Sequence, residues 1–272
     1  MSGDLAWHGR WLVLLFAVSF GFANLFPLWS AMSRLLGQGV AGALPPVVLG
    51  GLLLASLVWA RRRRERVDIR PATLIVGGVI ALACLGVTDA AFPAKRIHIA
   101  EYLMAACLVR SYFVRLVGGW WLTGLTAALA VLCGIHDEMI QGLLPDRTFG
   151  LSDIVADTGG AVAGALIGHG LVLFGDGPRT PAPSQGDRVK LVLVATALVL
   201  GLLALLAPLP FYRDIPPPIW VVLPLLAVAP LSAVTGDFDD PGLRAGIDVL
   251  VVFGVAVFLY PLLPHVTALA FR

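Results

Sequence analysis

Charged side chains are scarce in this sequence. Aspartate, glutamate, lysine and arginine make up 13% of its 272 residues, against about a quarter in an ordinary soluble domain. So few polar groups cannot cover a water-facing surface, which excludes a soluble globular protein. Cysteine is scarce too: Cys84, Cys107 and Cys133 lie inside apolar runs without metal-ligand spacing and read as small buried hydrophobes. The five histidines include no helix-borne His-x-x-x-His pair, so zinc is weakly supported. No serine or cysteine accompanies the polar groups at a spacing that would make an acid–histidine–hydroxyl triad. There is no convincing internal repeat and no long low-complexity tract. The net charge of +2 decides little, because its distribution along the chain matters more than its sum.

Apolar residues dominate instead, at 58%, and they come in blocks of about 20, the length a helix needs to cross a bilayer. The expected fold class is all-α, a polytopic transmembrane helical bundle of about nine spans. They fall near residues 11–33, 42–60, 72–91, 97–115, 118–142, 151–174, 190–210, 216–235 and 244–268. The first starts like a signal peptide after Arg10. Its apolar run continues to about Met32 without a clear small-x-small cleavage site, which predicts an uncleaved span. The eighth begins behind Pro216, Pro217 and Pro218, since proline suits a helix start. Pro178, Pro181, Pro183 and Ser184 mark a linker between Asp176 and Lys190. The domain reading is two N-terminal spans and a basic loop in 1–71, a four-span unit in 72–174, a linker in 175–189, and three further spans in 190–272.

Orientation follows from the basic residues. Arg61, Arg62, Arg63, Arg64, Arg66 and Arg70 form a dense cluster after the second span, which predicts a cytoplasmic loop and a cytoplasmic amino terminus. Arg110, Arg115, Arg179, Arg188 and Lys190 then fall inside as well, so most of the 19 lysines and arginines share that side. The cluster reads as a topology signal, and no nucleic-acid partner is expected. Three loops lie on the opposite face, at 92–97, 142–151 and 211–215, and the first two adjoin every unusual polar residue in the middle of the chain.

Those polar residues follow helical spacing. His98 is three and four residues before Glu101 and Tyr102, so the three share a face. Asp137 and Glu138, after His136, precede Gln141 by four and three. The following loop holds Pro145, Asp146 and Arg147, and Asp153 and Asp157 lie four apart at the start of the sixth span. An acid at the centre of a spanning helix costs roughly 3 kcal/mol. Glu101, Asp137, Glu138, Asp153 and Asp157 would therefore cost on the order of 15 kcal/mol if central and unpaired. They are expected near the interface, in a polar cavity, or paired with Lys95, Arg96, His98 and Arg147. Asp153 is alternatively a helix cap beside Ser152. Gly160, Gly164 and Gly168, with Gly159, form a ladder that lets another helix approach closely. His8, His169 and His265 read as interfacial or solvated.

The run Lys95-x-x-His98-x-x-Glu101-Tyr102, then Asp137-Glu138-x-x-Gln141, Pro145-x-Arg147 and Asp153-x-x-x-Asp157-x-x-Gly160-x-x-x-Gly164 resembles the VanZ-like family. The resemblance covers roughly residues 72–174. It implies an integral membrane protein of the bacterial cell envelope, multi-pass in the cytoplasmic membrane. The founding member is associated with teicoplanin resistance, and the family's biochemical activity is not settled.

Three functions fit these residues. The first is an enzyme acting on a lipid-linked or other envelope substrate at the outer leaflet. Its candidate catalytic residues are His98, Glu101, Asp137 and Glu138, with His98 or Glu138 as proton-transfer groups. Lys95, Tyr102, Gln141, Arg147, Asp153 and Asp157 are candidates for substrate binding, Arg147 as a two-pronged grip on phosphate or carboxylate. A metal is left open: Asp137, Asp153 and Asp157 can hold a hard cation such as Mg2+. The second is a non-enzymatic binding or accessory protein with the same cavity. The third is a transporter whose carboxylates relay protons, against which stands the lack of broken helices in the fourth to sixth spans.

Overall fold

The computed structural model describes residues 2–88, 92–145, 147–178, 180, 182–209, 218–227, 238–267 and 269–271. The regular structure of those residues is all helical, without a strand. The helices are α1 (Ser2–Ala23), α2 (Phe26–Leu36), α3 (Gln38–Arg63), α4 (Pro71–Val87), α5 (Ile97–Phe113), α6 (Gly119–Leu143), α7 (Leu151–Gly170), α8 (Gln185–Leu206), α9 (Pro218–Leu226), α10 (Pro241–Phe258) and the short α11 (Leu263–Val266). A 3-10 turn, Pro93–Arg96, leads into α5, and another, Tyr260–Leu262, follows α10.

The breaks have local causes. Asn24 donates its side-chain amide to the Phe20 carbonyl at 2.7 Å, and Pro27, in the first turn of α2, has no N–H to continue the ladder of α1. The result is a 41° bend between Gly9–Phe22 and Pro27–Leu36 where one straight span was expected. Gly37, at φ +80°, separates α2 from α3 in a conformation open to glycine. Proline opens α4, and Asp240 caps α10 by accepting from the Leu243 N–H at 2.7 Å.

Five described helices are long and apolar enough to cross a membrane: α3, α6, α7, α8 and the stretch Pro241–Val266. The bent α1–α2 pair is a sixth if counted as one span. The third and fourth expected spans are shorter than foreseen, at 17 residues each for α4 and α5. Of the eighth, only Pro218–Ala227 is described, so Pro216, Pro217 and the loop 211–215 lie outside the described residues. The expected linker is partly helical: α8 starts at Gln185, because Ser184 accepts from the Asp187 N–H at 3.1 Å and caps it.

The chain divides into two compact units, Met1–Glu138 with Gly150–Arg179, and Met139–Phe149 with Thr180–Arg272. In the first, α7 packs against α4 and α5. A Cβ on Gly160 or Gly164 would stand 2.5 Å from the Ile99 or Leu103 carbonyl oxygen of α5, and one on Gly77 of α4 would stand 2.9 Å from the Ala163 oxygen of α7. The glycine ladder thus brings α7 into backbone contact with α5. Helix α1 runs antiparallel to α5, with Trp11 on Tyr112 and Phe22 on Tyr102, and sets Phe16 on His136 of α6, ring centroids 5.6, 5.8 and 4.7 Å apart. In the second unit, Trp220 donates to the Leu205 carbonyl at 2.7 Å and packs on Phe271, which also covers Gly142.

Candidate functional site

The start of α5, the last turns of α6 and the start of α7 place their polar side chains together. His98, Glu101, Asp137, Glu138 and Asp157 are all buried, the most exposed being His98 at 6%. His98 Nδ1 faces three carboxylates: Asp157 Oδ1 at 3.2 Å, Glu101 Oε2 at 3.6 Å and Asp137 Oδ2 at 3.8 Å. One ligand atom from each of His98, Asp137, Glu138 and Asp157 lies within 4.8 Å of all the others. Glycine makes the crowding feasible, since a Cβ on Gly134 of α6 would stand 2.7 Å from the Asp157 Cβ.

Two contacts hold the cluster's frame. Tyr102 donates its hydroxyl to the Cys133 carbonyl at 3.2 Å. That carbonyl lies one helical turn before Asp137, so the bond fixes α5 to the turn that presents both acids of α6. Tyr102, a substrate-binding candidate from the sequence, is fully buried, and this bond ties α5 to α6. At the other side the Gly150 N–H donates to Glu138 Oε2 at 2.9 Å, joining the end of α6 to the entry of α7.

The half-exposed edge of the site is an ion pair. Lys95 Nζ sits 3.0 and 2.9 Å from the two oxygens of Asp153, with side-chain exposures of 34% and 6%. Asp153 does not cap α7. Its cap position is held by Gly150, whose carbonyl accepts from the Asp153 and Ile154 N–H groups, and Asp153 stands in the first turn, where a negative charge is favoured by the helix dipole. Arg147 donates to Gln141 Oε1; both belong to the second unit. Gln141 is buried and Arg147 half-buried. Asp146 lies outside the described residues.

A second polar cluster, at the far end of α7, escapes sequence reasoning. His169 is buried at 3% exposure, and so is not the solvated side chain that was one of its two expected readings. Trp120 stacks on its ring with centroids 4.3 Å apart. Arg70 reaches Nε2 at 2.9 Å and Thr123 Oγ1 lies 2.7 Å from Nδ1. The same Arg70 nitrogen lies 3.2 Å from Nδ1, and because arginine only donates, the ring nitrogen it meets is an acceptor. Arg70 also pairs with Asp176 at 2.7 Å. Arg110, fully buried, donates to the Leu173 and Gly175 carbonyls at 2.8 and 2.9 Å. These groups satisfy the turn that ends α7, where Val172, Phe174, Gly175 and Gly177 all adopt positive φ. The available signal was Arg110, an arginine within an apolar helix, together with the glycines after α7. His265 is exposed as expected, and the His8 side chain is outside the described set.

No protein-family model, no curated protein and no solved structure matches this chain.

Proposed function

We propose that this chain is a multi-pass protein of the bacterial cytoplasmic membrane, of VanZ-like type, with about nine spans and a cytoplasmic amino terminus. Its site at the outer ends of α5, α6 and α7 binds or acts on a lipid-linked or anionic envelope substrate. The observation that supports this reading is the gathering of four buried carboxylates around His98, with the Lys95–Asp153 pair at the edge that remains half-exposed. Intramembrane acids are costly to place, and such groups mark functional paths far more often than chance. The likeness to the VanZ-like family rests on the spaced motifs alone.

On this reading Lys95 meets the anionic group of the substrate, and His98 and Glu138 exchange protons; in the second unit, taken by itself, Arg147 held by Gln141 offers a planar guanidinium suited to phosphate or carboxylate. One observation favours the binding protein over the enzyme. Asp137, Glu138 and Asp157 are at most 1% exposed, so a ligand meets the Lys95 edge before it meets any proton-transfer group. A drug-resistance role stands on the family likeness only.

Glu138→Gln and Arg147→Lys test the proposal. Gln keeps the size of Glu and most of its hydrogen bonding but loses its charge, and Lys keeps the charge of Arg but not its planar fork. Both variants are expected to melt within a few degrees of wild type in detergent yet fail to complement a deletion strain. Loss of stability in proportion to loss of function would reduce the site to a scaffold.

A further inference from the structure

The cluster of His98, Asp137, Glu138 and Asp157 gathers three buried carboxylates and one imidazole within 4.8 Å of one another. Asp157 is 1% exposed, and neither of its oxygens has a hydrogen-bond partner among the described residues. Its one ion-pair neighbour there is His98, whose Nδ1 comes to 3.2 Å of Oδ1 out of hydrogen-bond line. Lys95 does not serve it, since that ammonium is engaged by both oxygens of Asp153. A buried carboxylate left in this state is strongly disfavoured unless something further binds it.

We propose that His98, Asp137, Glu138 and Asp157 bind one divalent first-row transition-metal ion, of the Mn2+ or Zn2+ kind. Ligands about 2.1 Å from a common ion lie no more than roughly 4.2 Å apart. The four ligand atoms lie within 4.8 Å of one another, so small rotamer changes, on the order of a few tenths of an ångström, bring them to that spread. The donor set selects the class of ion. Three carboxylates suit hard ions and one imidazole suits borderline ones, which together favour Mn2+ or Zn2+. Magnesium prefers to keep several waters, and residues with exposures of 6, 0, 0 and 1% leave little room for them. The Gly150 N–H on Glu138 and, through the α6 backbone, the Tyr102 hydroxyl on the Cys133 carbonyl hold these side chains in place from outside.

The site stands on the geometry of these four residues and not on the substrate reading, so it is measured without any substrate. The full-length protein would be purified in mild detergent, stripped with chelator, reloaded with Zn2+ or Mn2+ alone, desalted, and its metal measured by mass spectrometry. The expected result is about one ion per wild-type chain, with a melting temperature raised by the same ion. Asp157→Asn and His98→Gln are expected to lose both the ion and the thermal gain. Asp176→Asn, an acid paired with Arg70 at the far end of α7, is expected to keep both. A wild-type chain that retains no ion and shows no ion-dependent melting shift would overturn the proposal, whatever the variants do. So would equal retention by Asp157→Asn, which would assign the metal elsewhere. Neither result bears on the Arg147→Lys arm of the complementation test, since Arg147 lies outside the four.

Discussion

Asp153 would gain from the dipole of α7 without any partner, yet Lys95 reaches both of its oxygens across the gap between α5 and α7. The two members differ in exposure, the lysine at 34% and the aspartate at 6%. A fully exposed pair would be worth little; here removing the lysine strands a buried carboxylate. Lys95→Met is expected to cost about 1–2 kcal/mol, between the surface and buried cases. The double variant Lys95→Met with Asp153→Leu is expected to recover much of that loss, because no unpaired charge remains. Thermal unfolding of the single and double variants in one detergent measures the coupling. A double variant as unstable as the sum of the singles would show that the pair contributes nothing. The helical spacing of His98, Glu101 and Tyr102 was legible in the sequence because it is local, three and four residues on one helix. That the Tyr102 hydroxyl would go to a backbone carbonyl of α6 was not, since a hydroxyl's partner depends on which helix lies opposite.

The glycines of α7 show the same division at the level of whole helices. A repeat of four, Gly160, Gly164 and Gly168, announces a close helix contact, but many helices could have been the partner. The structure names α5, where carbonyl oxygens occupy the space a side chain would need. Backbone cannot rotate aside as a side chain can, so the two helices must separate to admit even one methyl. Gly164→Ala is expected to lower stability by about 1–3 kcal/mol as an overpacked contact, and to shift Asp157, two turns away, relative to His98. Gly78 of α4 provides the contrast, with nothing within 4 Å of its added Cβ. Gly78→Ala is expected to be neutral or to stabilise by up to about 1 kcal/mol, through helix propensity alone. Melting temperatures of the two variants decide the matter; equal effects would mean that the ladder does not set the packing. The tie of His169 to Arg70 and Thr123 had no such periodic signal. Its parts are 99 and 46 residues apart, and both arginines already had a sufficient explanation as topology charges.

Each unit has helices that differ in how much of them the chain itself covers. In the first, 61% of the apolar window of α7 is buried against 17% for α3; in the second, 56% of that of Pro241–Val266 against 22% for α8. Apolar residues such as Val47, Leu54 and Leu57 on α3 are left exposed, the arrangement expected where lipid rather than water is the neighbour. The sequence shows where apolar blocks lie but not their fate: about nine spans were expected, and five described helices are long and apolar enough to cross, or six with the bent pair. Helices α4 and α5, at 17 residues each, rise roughly 26 Å, short of the core's ~30 Å, and their flanks decide whether they cross. The predicted orientation does not depend on them. Whether α4 and α5 both cross or neither does, an odd number of crossings separates Arg61–Arg64 from the loop before α7, and α7 alone separates that loop from Gln185. Thr148 and Gln185 are both exposed, so each accepts a reporter without disturbing Arg147 or the cluster. With Cys84 and Cys133 buried and Cys107 half-buried, the unsubstituted protein gives the background. In intact cells a membrane-impermeant maleimide is expected to label Thr148→Cys, while Gln185→Cys reacts only after lysis. The positive-inside bias of the Arg61–Arg64 cluster dictates that order. Labelling of Gln185→Cys but not Thr148→Cys would invert the protein, put His98 and its carboxylates at the cytoplasmic face, and remove any outer-leaflet substrate from consideration.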